Sequence, residues 1–236
     1  MPAGFFGKVP CVGDFVKRRL APDFVAAWDD WLQRGMHAGR EQVGAGWHDL
    51  FLTSPVWRFA VDPGIAGSDA ACGVMVPSMD RVGRLFPLTI ALAVPQGRAT
   101  GLITTATGWL AAAEAEAIAV VTGDVADLES FDARVAGLAD TVSATSWEAP
   151  TAWQAGDGWF MPIDEQAGPS SAWQSLAISA LGGGKPGVVF WTAGSDLVVP
   201  GVFVSESLPA GDHFRVLLDG VGAPVAVRQP DPELGV

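Results

Sequence analysis

Three strand-like stretches, residues 56–61, 72–76 and 86–94, follow one another with no helix-length pattern between them. Short apolar runs rich in Val, Ile and Phe fit strands rather than helices. Consecutive strands with short links pair antiparallel, because a parallel pair needs a crossover of a dozen or more residues. The last two stretches are joined by Pro77-Ser78-Met79-Asp80-Arg81-Val82-Gly83-Arg84, a polar segment that reads as a hairpin end. A doubly wound parallel sheet is therefore disfavoured.

The flanks extend this meander. Phe5-Phe6 suggests a short strand, Gly13-Asp14 a turn, and Pro22 suits the first turn of a helix. Phe24, Trp28, Trp31 and Leu32 recur at helical spacing, with Asp29, Asp30, Gln33 and Arg34 elsewhere on the same helix. A second short helix carries Trp47, Leu50 and Phe51 and ends before Pro55. Further on, one helix is expected over 104–121, and another with Asp124 as N-cap carries Val125, Leu128, Phe131, Val135 and Leu138.

The second half begins more loosely. Trp147-Glu148-Ala149-Pro150 and Gly156-Asp157-Gly158 read as loop and turn. A strand at 159–163, a helix at 170–181 stopped by Gly182-Gly183-Gly184, strands at 188–191 and 202–204, and a short element at 213–218 follow. The tail, 227–236, should fray. The expected fold is α/β (α+β): a layered α/β/α sandwich with a mixed, mainly antiparallel sheet. It is read as one domain over 1–236, in which residues 1–98 bear the motifs and residues 99–226 are acidic.

Composition narrows the function classes. Apolar residues make up 49% of the 236, with ten Trp, which is incompatible with global disorder. Cys11 and Cys72 form neither a disulfide framework nor a Cys-x-x-Cys pair. The N-terminus lacks a basic region followed by an apolar stretch, and the longest apolar candidate, 110–121, is interrupted by Glu114 and Glu116. A cytoplasmic location without membrane insertion is the expectation. The net charge of −12 is uneven: up to Arg98 there are ten Lys/Arg against nine Asp/Glu, and beyond it four against seventeen. Such a chain repels phosphate backbones, so nucleic-acid binding is disfavoured.

Catalytic and metal-binding patterns are sparse. His37, His48 and His213 are widely separated and have no acidic pair at ligand spacing. Gly182-Gly183-Gly184-Lys185 departs from a phosphate loop at Ser179 and Pro186, and it follows a helix where such a loop precedes one. Neither a Gly-x-Ser-x-Gly elbow nor a Ser-x-x-Lys pair occurs. Asp29-Asp30 and Asp164-Glu165 are sequence neighbours, which point apart rather than converge. Two alternatives stay open: a hydrolase using Cys11 or Ser54 with a histidine, and a small-ligand sensor with a pocket among the aromatics. No metal or cofactor is expected.

The informative blocks lie early. They are Gly4-Phe5-Phe6-Gly7-Lys8-Val9-Pro10, Gly13-Asp14-Phe15-Val16-Lys17-Arg18-Arg19-Leu20, and Phe24 with Trp28-Asp29-Asp30-Trp31-Leu32-Gln33. Ser54-Pro55-Val56-Trp57-Arg58-Phe59 follows, and then Gly73 to Arg84 with Phe86-Pro87-Leu88-Thr89. This ordered set resembles the TagF (ImpM) family of type VI secretion accessory proteins. The resemblance implies a cytoplasmic, non-enzymatic repressor acting after translation through the secretion scaffold that bears a forkhead-associated domain. Some relatives are fused to a phosphatase domain; at 236 residues this chain would be the stand-alone form.

The same blocks supply the candidate contact residues Lys8, Asp14, Arg18, Arg19, Arg58, Ser78, Asp80, Arg81 and Arg84. Charges embedded among apolar residues must be paired. An architectural reading therefore has Asp14 and Asp80 pairing with some of these arginines. Arg81 and Arg84, on the hairpin end, are equally suited to gripping a partner's carboxylate or phosphate. Lys17-Arg18-Arg19 reads as a basic run in a solvated loop. Trp147, Trp153, Trp159 and Trp173 serve core packing or an exposed patch.

Overall fold

The computed structural model describes residues 2–94, 99, 102, 106–138, 153–155, 158–160, 187–209 and 211–220. The expected helix at 170–181, its glycine stop with Lys185, the 147–150 loop and the 227–236 tail lie outside the described residues, as does the end of the expected 159–163 strand beyond Phe160.

Nine strands are described: β1 (Gly4–Gly7), β2 (Val16–Arg18), β3 (Trp57–Val61), β4 (Ala70–Val76), β5 (Leu88–Val94), β6 (Trp153–Ala155), β7 (Gly158–Phe160), β8 (Val188–Thr192) and β9 (Gly201–Ser205). The α-helices described with them are α1 (Pro22–Val43), α2 (Trp47–Thr53), α3 (Thr107–Val121) and α4 (Leu128–Ala136). A 3₁₀ turn joins α1 to α2, and a longer one spans Gly211–Leu217. Seven strands form one sheet in the order β2-β1-β5-β4-β3-β8-β9, and each of its pairs is antiparallel. The β3–β4–β5 meander is its centre, as the short connections require. Strands β6 and β7 pair with each other in a separate two-stranded sheet.

Strand side chains alternate between faces, and the buried residues sort accordingly. Phe5, Ala60, Cys72, Val74 and Ile90 face a core closed by Trp109, Leu110, Ala113 and Ala117 of α3 and Phe131 and Val135 of α4. Phe6, Phe59, Met75, Ala91 and Phe190 face the other core, closed by α1, α2 and the longer 3₁₀ turn. Helices on both faces of the sheet make an α/β/α sandwich, and β4, buried at all seven positions, lies in its middle.

Helix α1 begins with Pro22 in its first turn, where a missing N–H costs nothing. Its buried stripe of Phe24, Trp28, Trp31 and Leu32 continues through Gly35 and Gly39. The Trp28 ring lies 4.6 Å from Trp31 and 4.5 Å from Phe59, and Trp31 is 5.8 Å from Phe190. A buried indole keeps its polar tip bonded where it can. Trp28 donates to Thr89 Oγ1 at 3.0 Å, Trp31 to the Pro209 carbonyl at 2.7 Å, and Trp57 to the Leu217 carbonyl at 2.8 Å.

Three local expectations are corrected. Helix α4 is capped by Asp127, whose side chain accepts from the Ser130 N–H at 2.8 Å, not by Asp124. Asp127 stands three residues before that amide, the geometry of an N-cap, whereas Asp124 accepts from the Thr122 hydroxyl. The Lys17-Arg18-Arg19 run is not a loop: Lys17 and Arg18 belong to β2, paired with Phe6 and Phe5. Finally, residue 87 ends the hairpin link, so β5 starts at Leu88 rather than Phe86.

Candidate functional site

Two loops meet where β1 and β4 end and β5 begins: the segment after β1, residues 8–15, and the link between β4 and β5, residues 77–87. Gly7 ends β1 with a φ of 138°, and a Cβ there would lie 2.1 Å from the Pro87 carbonyl oxygen. Only glycine lets the two backbones approach this closely. The joint is then closed by polar bonds. The Ser78 hydroxyl donates to the Lys8 carbonyl at 2.8 Å, and the Arg81 N–H donates to the Val12 carbonyl at 2.9 Å.

Asp80 is the centre of this joint. Its side chain is fully shielded from solvent, and its Oδ2 accepts from Lys8 Nζ at 2.9 Å and Arg84 Nε at 2.7 Å. Its Oδ1 accepts from the backbone N–H groups of Val82 at 3.1 Å and Arg84 at 2.9 Å. Burial alone would raise the Asp80 carboxyl, but these four donors outweigh it and hold it well below the ordinary carboxylate range. Lys8 is buried with it. A buried lysine and a buried aspartate are tolerated here because each neutralises the other. Arg84 also donates through Nη2 to the Gly13 carbonyl, tying the two loops a fourth time.

The surface above this joint is mixed. Phe15 is 45% exposed, yet it is stacked on Phe6 at 5.9 Å, set edge-on to Phe86 at 4.8 Å, and faced by the Lys8 ammonium at 5.0 Å. Val82 is 66% exposed at the hairpin tip. Arg81 is exposed beside it, and the Arg84 side chain is 56% exposed despite its two anchoring bonds.

The structure thus brings Lys8, Ser78, Asp80, Arg81 and Arg84 together and leaves four other candidates apart. Asp14 is exposed and accepts from the neighbouring Phe15 N–H at 2.8 Å; among the described residues it forms no ion pair, so the expected Asp14–arginine pairing is corrected. Loop geometry explains this: a short side chain at a turn bonds its own backbone more easily than a distant partner. Arg58, on β3, reaches Glu114 of α3 at 2.8 Å and lies over the Trp191 ring at 4.5 Å. Arg19 donates to the Ala3 carbonyl at 2.8 Å and pairs with Asp132 of α4 at 2.5 Å, while Arg18 approaches Asp132 at 3.9 Å. Arg19 also holds a left-handed φ of 57°, unusual for a side-chain-bearing residue, and its anchors fix that conformation.

The Ser54 hydroxyl donates to the Phe51 carbonyl at 2.6 Å, ending α2. Partial burial pushes the Cys11 thiol up, with Asp127 and Glu129 adding to the effect against a backbone hydrogen bond. His37 and His48 lie near Glu41 and Asp49, their helix neighbours.

Some structural partners were invisible in the sequence. Asp62 is fully buried and accepts from the N–H groups of Ala99 at 2.8 Å and Gly187 at 3.0 Å, clasping two distant segments at the end of β3. Asp23 accepts from the Ser68 N–H and hydroxyl at 2.8 and 2.9 Å. A carboxylate followed by an ordinary loop carries no local mark of such roles.

Comparison with known proteins bears on the identity of this assembly. The model of the TagF N-terminal domain, described as type VI secretion system-associated, matches residues 4–138. The crystal structure of PA0076 from Pseudomonas aeruginosa PAO1, at 2.05 Å resolution, is similar over 98% of this chain and 100% of that one, with 33% identity and a TM-score of 0.74. No curated protein matches. The Gly7–Lys8 and Ser78–Arg84 blocks that build the joint both fall within the matched segment. This chain belongs to the TagF family of type VI secretion system-associated proteins.

Proposed function

We propose that the protein is a cytoplasmic, non-enzymatic negative regulator of type VI secretion. It acts after translation by binding the scaffold protein that carries a forkhead-associated domain, and so restrains assembly or firing of the apparatus. Family membership supports the link to secretion. The observation that carries the contact mode is the Lys8–Asp80–Arg84 network, which locks two loops together beneath exposed Phe15, Arg81 and Val82. A buried ion-pair network at a loop junction rigidifies what lies above it. Rigid presentation favours binding, because ordering on association costs free energy.

The test uses the scaffold of the same secretion system. Purified full-length protein should retain it at micromolar concentration, and deleting the gene should raise secreted marker protein while overexpression lowers it. Absence of retention, together with unchanged secretion in both strains, overturns the proposal. Gain of a turnover activity that disappears on Cys11→Ala or Ser54→Ala replacement would favour catalysis instead.

A further inference from the structure

We propose that the tip formed by Phe15, Arg81, Val82 and Arg84 is a docking surface for an acidic protein segment that brings an apolar side chain between its carboxylates. The inference deepens the docking reading above and rests on it for the face, not for the identity of the partner.

Four observations converge on this chemistry. Arg84 is held by Asp80 Oδ2 through Nε and by the Gly13 carbonyl through Nη2, so its guanidinium is fixed before any partner arrives. Its remaining terminal nitrogen, Nη1, takes no bond among the described residues, and the side chain is 56% exposed. A planar guanidinium anchored on one edge offers the other to a carboxylate at small entropic cost. Arg81 adds a second cation whose side chain makes no hydrogen bond or ion pair among the described residues, while its backbone N–H is anchored on Val12.

The apolar component lies alongside. Phe15 is fixed by Phe6 and Phe86 yet remains 45% exposed, and Val82 is 66% exposed. Aromatic and arginine side chains are the types enriched in interface cores. The two loops hold three cations, Lys8, Arg81 and Arg84, against two carboxylates, Asp14 and Asp80. Lys17, paired with Phe6 on the adjoining β2, adds another positive charge nearby.

Charge across the chain sharpens the choice. The residues up to Arg98 carry a slight positive excess, whereas those beyond it hold four basic residues against seventeen acidic ones. An acidic partner is repelled by most of the molecule and accepted at this tip, which selects its orientation. A basic partner would be steered elsewhere.

The experiment has two arms, both on the full-length chain. In the first, the ¹⁵N-labelled protein is titrated at low salt with an acetylated Glu-Glu-Leu-Glu-Glu-Phe peptide, with the same peptide carrying Lys for Glu, and with a phosphothreonine peptide of equal charge. The acidic peptide should shift the amides of Gly13, Phe15 and residues 81–85. These shifts should shrink severalfold at high salt and vanish in Arg81→Glu/Val82→Ser. Both side chains are exposed, and circular dichroism checks that the fold is kept. Shifts scattered over other surfaces, undiminished in the double variant, equal for the Lys peptide, or absent at millimolar peptide overturn the inference. A clear preference for the phosphopeptide overturns its carboxylate chemistry.

In the second arm, the scaffold is the probe. Loss of affinity by about tenfold or more in Arg81→Glu/Val82→Ser supports the surface. Undiminished scaffold binding by that variant removes the surface while leaving the regulator proposal standing. Failure of the wild type to bind the scaffold counts against the regulator proposal alone, and the peptide arm then decides the surface.

Discussion

At the scale of single residues, the behaviour of Asp80 follows from its donors. Its carboxyl is depressed in the folded protein relative to an ordinary value of 3.8. A depressed group contributes stability that is fully present above the unfolded pKa and is lost as pH falls through that value toward the folded one. Asp23 and Asp127 are lowered too, Asp23 by its bonds from Ser68 and Asp127 by its bonds from Ser130, so they act in the same direction. We expect the urea midpoint to hold from pH 7 to about pH 5 and to decline below it. Asp80→Asn should lower the midpoint at pH 7, because Lys8 then faces an amide in a buried site, and should flatten the acid decline. An unchanged acid slope in Asp80→Asn would remove Asp80 from the account. The two thiols differ as well. Burial pushes Cys72 up to about 12, whereas Cys11 is only partly shielded. A thiol reagent at pH 8 should modify Cys11 slowly and leave Cys72 intact until the protein unfolds, since thiolate character and access govern the rate. Mass spectrometry of the labelled peptides distinguishes the two.

At the scale of elements, glycine sets how closely layers approach. A Cβ on Gly73 of β4 would lie 2.2 Å from the Ile90 carbonyl oxygen and 2.8 Å from the Phe59 ring. The first obstacle is backbone in a central strand, which cannot swing aside. On α1, a Cβ on Gly35 would lie 2.2 Å from the Phe214 ring, where the 3₁₀ turn presses on the helix. Alanine normally stabilises a helix interior by about 1 kcal/mol over glycine. Here overpacking costs about 1–3 kcal/mol, so the sign reverses. Gly35→Ala should be destabilising by urea denaturation, and Gly73→Ala more so. A stabilised Gly35→Ala would mean that the Phe214 ring moves freely. The same contact explains why α1 keeps glycine in its buried stripe despite its poor propensity.

At the scale of the whole molecule, the later strands complete what the early motifs begin. The matched family segment ends at residue 138. Yet β8, at 188–192, pairs with β3, and fully buried Phe190 sits within 6.4 Å of Trp28, Trp31, Trp57 and Phe59. Phe214 fills the gap over Gly35, and the Leu217 carbonyl accepts the Trp57 N–H. A fragment ending at residue 138 would expose the free edge of β3 and a cluster of indoles. Open edges and large apolar patches promote association. We expect that fragment to bind a hydrophobic dye, to aggregate and to lack a cooperative urea transition. A soluble fragment with a sharp transition would show that β8 and the 3₁₀ turn are dispensable. Coupling of β8 to β3 also sets Trp191 against the Arg58 guanidinium, which pairs with Glu114 inside the matched segment, so a late ring packs on an early ion pair.

What the sequence determined by itself was local and periodic. Pro22 and the Phe24/Trp28/Trp31/Leu32 spacing marked α1, the short links between apolar runs marked an antiparallel meander, and five ordered blocks marked the family. Hydrophobic period and turn chemistry act over a few residues, so they are written in the chain. What only the tertiary structure decided was pairing at a distance. Lys8 meets Asp80 across 72 positions, Arg19 meets Asp132 across 113, and Asp62 meets Gly187 across 125. The same physics explains why Asp14 turned to its own backbone and Arg58 to Glu114. A charge's need for a counterion is legible from its apolar neighbours, but the identity of the counterion depends on which backbones the sheet brings side by side.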